Sequence, residues 1–537
     1  MTVTETRPDT AAAPEAEAPP EHAPTSRGLP AVLGSGDHKV VGRLWIAFSL
    51  LYLFVGLGIA VLLGLEDADL GSYEVLGSDT YLQMFSLYRV TAVFLVVIPL
   101  FLGLATYVVP LQVGARSLAL PRAAAAAFWA WAVAGGVLIA SYAIDGGPGG
   151  TDAEGTDLWI VAFGLLVVAL VAAAICVATT VLVDRAEGMS LVRTPLFSWS
   201  MLVACSVWIL SLPVLLANLL VIYLDHRYGQ QLFGVDADIW AQVSWAFHQP
   251  QIYATAIPVF GILLDVTATA TGARPKFRQA AMAATGLFGA LAFGAWMQPY
   301  FNAEALDDPW FIGVAWVSLL TVLVLLLLVG ETMGRNRPKF TTPLALSVVA
   351  FLLLLGATIA GGFAVLDVLD LTATTFASGQ MNLTLLAALT GGLAGVWYWL
   401  PKISGRKASD GAGSLVALLL LAGATLVGLG ALWSGALDQP MILTAEYVAR
   451  DGVEALNLVT TAGFALLVVA GLVAALALVV AIRKGTTADP EHRPDDPWGG
   501  QTLEWSTSSP PPWNNFAEAP ALVLTASPLL DSAEEGA

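Results

Sequence analysis

Charge is scarce in this sequence. Charged residues make up 12% of 537, against ~25% in a soluble globular protein, which excludes a free-standing soluble enzyme. Cysteine is nearly absent. Cys176 and Cys205 both fall in apolar runs, so a disulfide scaffold is excluded and two small core residues remain. Histidine is short as well, with His22, His38, His226, His248 and His492 the full supply. A basic surplus is missing: the formal net charge is -18, carried mostly by loops and tails, and no nucleic-acid partner is expected. No short cleavable signal peptide opens the chain.

What the chain has in quantity is apolar length. Twelve runs read as membrane-spanning helices: 40–64, 82–110, 120–143, 158–183, 197–223, 242–266, 279–299, 310–330, 342–366, 379–400, 413–436 and 456–482. The fold class is therefore an all-α polytopic membrane protein, with the lipid bilayer as its first partner. Residues 1–36 read as a disordered acidic tail, 37–484 as the membrane domain, and 485–537 as an extended tail. The connecting segments alternate in charge. Arg116, Arg193, Arg274, Lys276, Arg335, Lys339, Arg406 and Lys484 lie on one side, while the acidic loops 65–81, 144–157, 300–309 and 367–378 lack Lys and Arg. Arg227 and Arg450 lie against the pattern. The positive-inside rule then predicts a cell-membrane protein with both termini cytoplasmic.

Several motifs stand out against this background. Asp37-His38-Lys39 opens the first span. Val109-Pro110-Leu111-Gln112-Val113-Gly114-Ala115-Arg116 closes the second. Thr194-Pro195-Leu196-Phe197-Ser198-Trp199 opens the fifth, and Trp245-Ala246-Phe247-His248-Gln249-Pro250-Gln251-Ile252-Tyr253 opens the sixth. Trp399-Leu400-Pro401-Lys402-Ile403-Ser404-Gly405-Arg406 closes the tenth. The tail carries Pro497-Trp498-Gly499-Gly500, Thr502-Leu503-Glu504-Trp505, Ser509-Pro510-Pro511-Pro512 and Asn515-Phe516. From about residue 37 to 520 the chain resembles subunit I of the haem–copper oxidases, the cytochrome c oxidase family.

The resemblance implies two haems and a copper, held by six intramembrane histidines, because imidazole is the neutral nitrogen ligand suited to iron and copper. The chain has five histidines in total, and four of those lie in tails or loops or ahead of the first span. Aligned on the motif anchors, the low-spin haem positions fall on Tyr88 and Met381, and the high-spin haem position on Gly379. The copper positions fall on Gln249, Gln298 and Pro299, and the family's intramembrane Glu on Gln251. No haem or copper is therefore expected in this chain.

Among the residues that remain, Tyr88 and Met381 could ligate a haem, since Tyr and Met serve as axial ligands elsewhere. The simpler reading is that they fill the emptied space. Arg89 lies within a span, where a charge marks either an anion site or a side chain snorkelling to the interface. His248 reads as an interfacial histidine bonded to a neighbour, and Tyr253 as a packed aromatic. Asp265 reads as a solvated charge beside the basic loop 274–278. The expected function is a catalytically silent relative of subunit I, structural or assembly-related, beside subunit II-like or III-like partners. The retained tail motif suggests a surface kept for such a partner. An active oxidase, or a transporter or binding protein using the vacated cavity, are the alternatives.

Overall fold

The computed structural model describes residues 32–68, 76–232, 237–292, 309–442, 450–487 and 496–535. Twelve long helices follow the twelve apolar runs: α1 (His38–Asp67), α2 (Thr80–Val113), α3 (Pro121–Ala143), α4 (Ala153–Val183), α5 (Leu196–Tyr228), α6 (Ala237–Thr271), α7 (Arg278–Leu291), α8 (Pro309–Arg335), α9 (Thr342–Ala364), α10 (Thr375–Ser404), α11 (Asp410–Ala436) and α12 (Val453–Lys484). Among the described residues, eleven helices are long and apolar enough to cross a membrane. The span expected at 279–299 is described only as far as its first half, α7.

Helices consecutive in sequence pack beside one another, as α3 on α4, α4 on α5, α9 on α10 and α11 on α12. α12 returns to α1. α6 and α10 are buried along their whole apolar lengths, and α2 nearly so. Lipid tails are as apolar as leucine, so close packing rather than water exclusion holds such helices together. Glycine makes that approach possible on α10. A Cβ at Gly391 would stand 2.8 Å from Val259 Cγ2 of α6, and one at Gly392 would stand 2.6 Å from Leu100 Cδ2 of α2.

α2 is not uniform. Thr91–Val97 is a π segment, and the Ile98 N–H bonds back to Val93 O. Pro99 explains its place: proline's ring crowds the carbonyl four residues back and its nitrogen has no hydrogen to donate, so the regular ladder cannot run through it. α5 runs past the expected end at 223 to Tyr228. Its last turn carries His226 and Arg227, which both reach Asp157 of α4, at 2.8 and 3.2 Å. Cations in a helix's last turn also meet its dipole favourably. Gly229, in the left-handed region at φ 61°, stops the helix.

At the end of the bundle that carries the basic loops, the chain after Asp496 lies across the helix ends. A minimal strand pair, Arg406–Lys407 with Thr486–Thr487, ties α12's exit to the loop after α10.

Candidate functional site

Tyr88 and Met381, the haem candidates of the sequence, come together in space. Tyr88 lies on α2 and Met381 on α10, in a cleft between the acidic-loop ends of α1, α2, α10, α11 and α12. Tyr88 Oη donates to Asn382 Oδ1 at 2.9 Å. Arg89 lies between two thioethers, with Nη2 3.3 Å from Met381 Sδ and Nη1 3.5 Å from Met441 Sδ. Its guanidinium carbon also stands 5.0 Å from the Phe85 ring centroid, a favourable cation–π distance. Sulfur is a weak acceptor, so these contacts orient Arg89 more than they hold it. The free space inside the cleft is about 70 Å³, which is room for a handful of water molecules.

Gly379 lies one turn before Asn382 on α10, and its missing side chain is where α11 packs. A Cβ there would stand 2.9 Å from Ala431 Cβ and 3.0 Å from Leu432 N. Gln251 is fully buried in α6. Tyr253 is buried too, its ring stacked on Phe288 at 4.2 Å and 10°, as expected of a packed aromatic. His248 and Gln249 lie on the helical backbone of α6, but their side chains fall outside the described residues. Gln298 and Pro299 lie wholly outside them.

A second polar cluster sits at the basic-loop end, and Asp265 is its hinge. The sequence reading of Asp265 as a solvated charge is wrong: the residue is 7% exposed. Its Oδ1 accepts from Leu196 N at 3.1 Å and its Oδ2 from Phe197 N at 3.0 Å. It therefore caps the first turn of α5, where unpaired backbone N–H groups and the helix dipole favour a carboxylate. Gln112 Nε2 bridges two acids, standing 3.4 Å from Asp265 Oδ2 and 3.0 Å from Glu504 Oε1. Ser198 Oγ donates to Gln112 Oε1 at 2.7 Å, and Trp399 Nε1 to Glu504 Oε1 at 3.3 Å. Burial pushes the Glu504 carboxyl up to about 7. The Asp496 carboxyl is also raised by burial, against three backbone N–H bonds that favour its charge.

Glu504 and Trp505 are buried, at 0% and 2% exposure, against the chain's own α2 and α10. Glu504 and Trp505 thus serve the protein's own fold and are not themselves offered to a partner. The rest of the tail is latched in the same way. Lys402 Nζ donates to Thr507 O at 2.7 Å and Ser508 O at 3.3 Å. Asn515 Oδ1 accepts from His38 Nε2 and Lys39 Nζ, and its Nδ2 donates to Ala115 O at 2.8 Å. Asn515→Ala therefore lowers stability by about 2–4 kcal/mol, since it leaves several buried polar groups without this partner at about 1–3 kcal/mol each. Thermal unfolding of the full chain in detergent checks this, and a loss below about 0.5 kcal/mol rules the latch out.

Sequence reasoning located Tyr88, Met381 and Arg89 but missed Asn382, Met441 and the Gln112–Asp265–Glu504 cluster. For Asn382, a polar residue inside the apolar run 379–400 was the available signal.

Residues 40–488 match the family model described as Cytochrome C and Quinol oxidase polypeptide I. The chain is 30% identical to cytochrome c oxidase subunit 1 of Corynebacterium glutamicum, over 97% of this chain and 92% of that protein. It is 29% identical to cytochrome c oxidase subunit 1 of Corynebacterium efficiens, over 97% and 93%. Its fold is similar to a chain of a haem–copper terminal oxidase dimer solved by cryo-EM, with a TM-score of 0.67, 14% identity, and coverage of 93% of this chain and 89% of that one.

Proposed function

This chain belongs to the cytochrome c and quinol oxidase polypeptide I family, and from that membership we propose that it is a catalytically silent paralogue of subunit I. Its role is structural or assembly-related, within a respiratory complex of the cell membrane. Both termini face the cytoplasm, and its partners are other oxidase-like subunits of the subunit II or III kind.

One observation carries the reading: what stands at the family's ligand positions. Tyr88 is bonded to Asn382, and Met381 faces the Arg89 guanidinium. Gly379 is closed by α11. The family's two haems do not fit these residues as they stand. A porphyrin between Tyr88 and Met381 would have to displace Arg89, and position 379 offers no donor atom. For copper, Gln249 and Gln298 offer amides and Pro299 offers no side-chain donor, a poor set for that metal. Fold alone does not confer the reaction, which depends on the site.

The relatives, both named cytochrome c oxidase subunit 1, favour a second reading, an active subunit I. It requires ligands other than histidine at most of these positions. A third reading, a small-molecule or transport site, is favoured by the Arg89 cleft itself.

The test is a pull-down of the tagged full chain from its own membrane after mild solubilisation. Recovery with oxidase-like subunits, in a complex whose oxygen consumption survives Tyr88→Phe and Met381→Leu in this chain, is the expected outcome. Loss of oxygen consumption in either variant, with the complex intact, overturns the silent reading. Recovery of the chain alone overturns the structural role.

A further inference from the structure

The tail between Asp496 and Ser527 crosses the basic-loop ends of α2, α6 and α10, and one ionisable carboxyl lies under it. Glu504 is fully buried. Its Oε1 accepts from Gln112 Nε2 and Trp399 Nε1. Asp265 accepts from the same Gln112 Nε2. Two carboxylates sharing one amide donor in a buried site repel, and one of them holds a proton more readily than it would in water. The geometry decides which. Asp265 has two backbone N–H donors at the start of α5, the bonds that suit a carboxylate. Glu504 is held instead by two side-chain donors, the Gln112 amide and the Trp399 indole.

We propose that Glu504 is a pH-sensitive latch: protonated, it seats the 496–527 tail on the helix ends, and on losing its proton it loosens that tail. The other charges around it are fixed in place. From α6 comes Asp265, with the charge of Arg278 of α7 acting on it. From α10 come Lys402, which holds the Thr507 and Ser508 carbonyls, and Tyr398, bonded to Thr269 and Trp505. From the tail comes Asp496, which accepts from the backbone of Trp498, Gly499 and Gly500. α2 contributes the neutral Gln112. Among these groups, Asp265 opposes charge on Glu504 directly.

The sign follows from proton counting. The seated tail raises the Glu504 carboxyl to about 7 through burial, from an ordinary value of 4.5. The seated state therefore binds the proton more tightly than the released state, and release becomes easier as pH rises from 4.5 to 7, then levels off. Between pH 6 and pH 8 the equilibrium constant for release grows by about tenfold.

Hydrogen–deuterium exchange on the full-length protein in nanodiscs tests this, after correction for the intrinsic pH dependence of exchange. Peptides covering 500–516 exchange about tenfold faster at pH 8 than at pH 6 if the latch works, and Glu504→Gln makes them insensitive to pH. An unchanged rate in the wild type, or the same rise in Glu504→Gln, overturns the proposal. Should Glu504→Gln fail to fold, infrared titration of the wild type supplies the second readout. The proposal requires a protonated-carboxyl band that bleaches near neutral pH in step with exchange of the tail. A band that stays constant from pH 5 to pH 9, or that is absent throughout, contradicts it.

Discussion

Histidine placed at position 379 lowers the stability of the bundle and brings no haem with it. Under the proposed reading this is the family's high-spin ligand position, so Gly379→His is the substitution that would begin to build a metal centre. The packing opposes it. The first atom of any side chain there meets Ala431 Cβ at 2.9 Å and the backbone nitrogen of Leu432 at 3.0 Å. One of the two helices must move, and overpacking of this kind costs about 1–3 kcal/mol. Thermal unfolding in detergent measures the loss, and absorbance of the variant expressed with ample haem measures cofactor uptake. Met381→Leu, a near-isosteric change in the same helix, costs less than about 1.5 kcal/mol and serves as the control. A Gly379→His protein as stable as the wild type, with stoichiometric haem absorbance, is incompatible with the packing described.

Asp265→Ala has an effect at least as large. The carboxylate accepts from two backbone N–H groups of α5 and from Gln112, all buried. Its removal takes away a helix cap, typically about 1 kcal/mol. It also leaves buried donors unpaired at about 1–3 kcal/mol each, and a total loss of about 3–4 kcal/mol follows. Asp265→Asn keeps an acceptor oxygen for one N–H and recovers part of that. The readout is again the unfolding temperature. If Asp265→Ala unfolds within a degree or two of the wild type, the residue is not the hinge of the basic-end cluster.

These predictions separate what was legible in the sequence from what was not. Helix positions were legible because a span must be long and apolar, a condition each run meets alone. Tyr88, Gly379 and Met381 were legible through Pro99 and Pro401, which fix the count along their helices. Asp265 was misread because its neighbours in sequence are a helix end and a basic loop. Its partners are Leu196, Phe197 and Gln112, which lie far from it along the chain. The burial of Glu504 and Trp505 was illegible for the same reason: they meet Gln112, Tyr398 and Trp399, none of which is near them in sequence. Arg89 was legible as a charge inside a span. Its thioether neighbours were beyond reach because Met441 follows α11, far along the chain.

A silent subunit I works without the family's metals. The most direct measurement purifies the full chain from its own membrane, records the reduced-minus-oxidised haem spectrum, and quantifies iron and copper per chain by mass spectrometry. A flat difference spectrum is expected, with iron and copper far below one per chain. Two haems and a copper per chain would contradict it outright, and a single haem without copper would return Tyr88 and Met381 to the role of ligands.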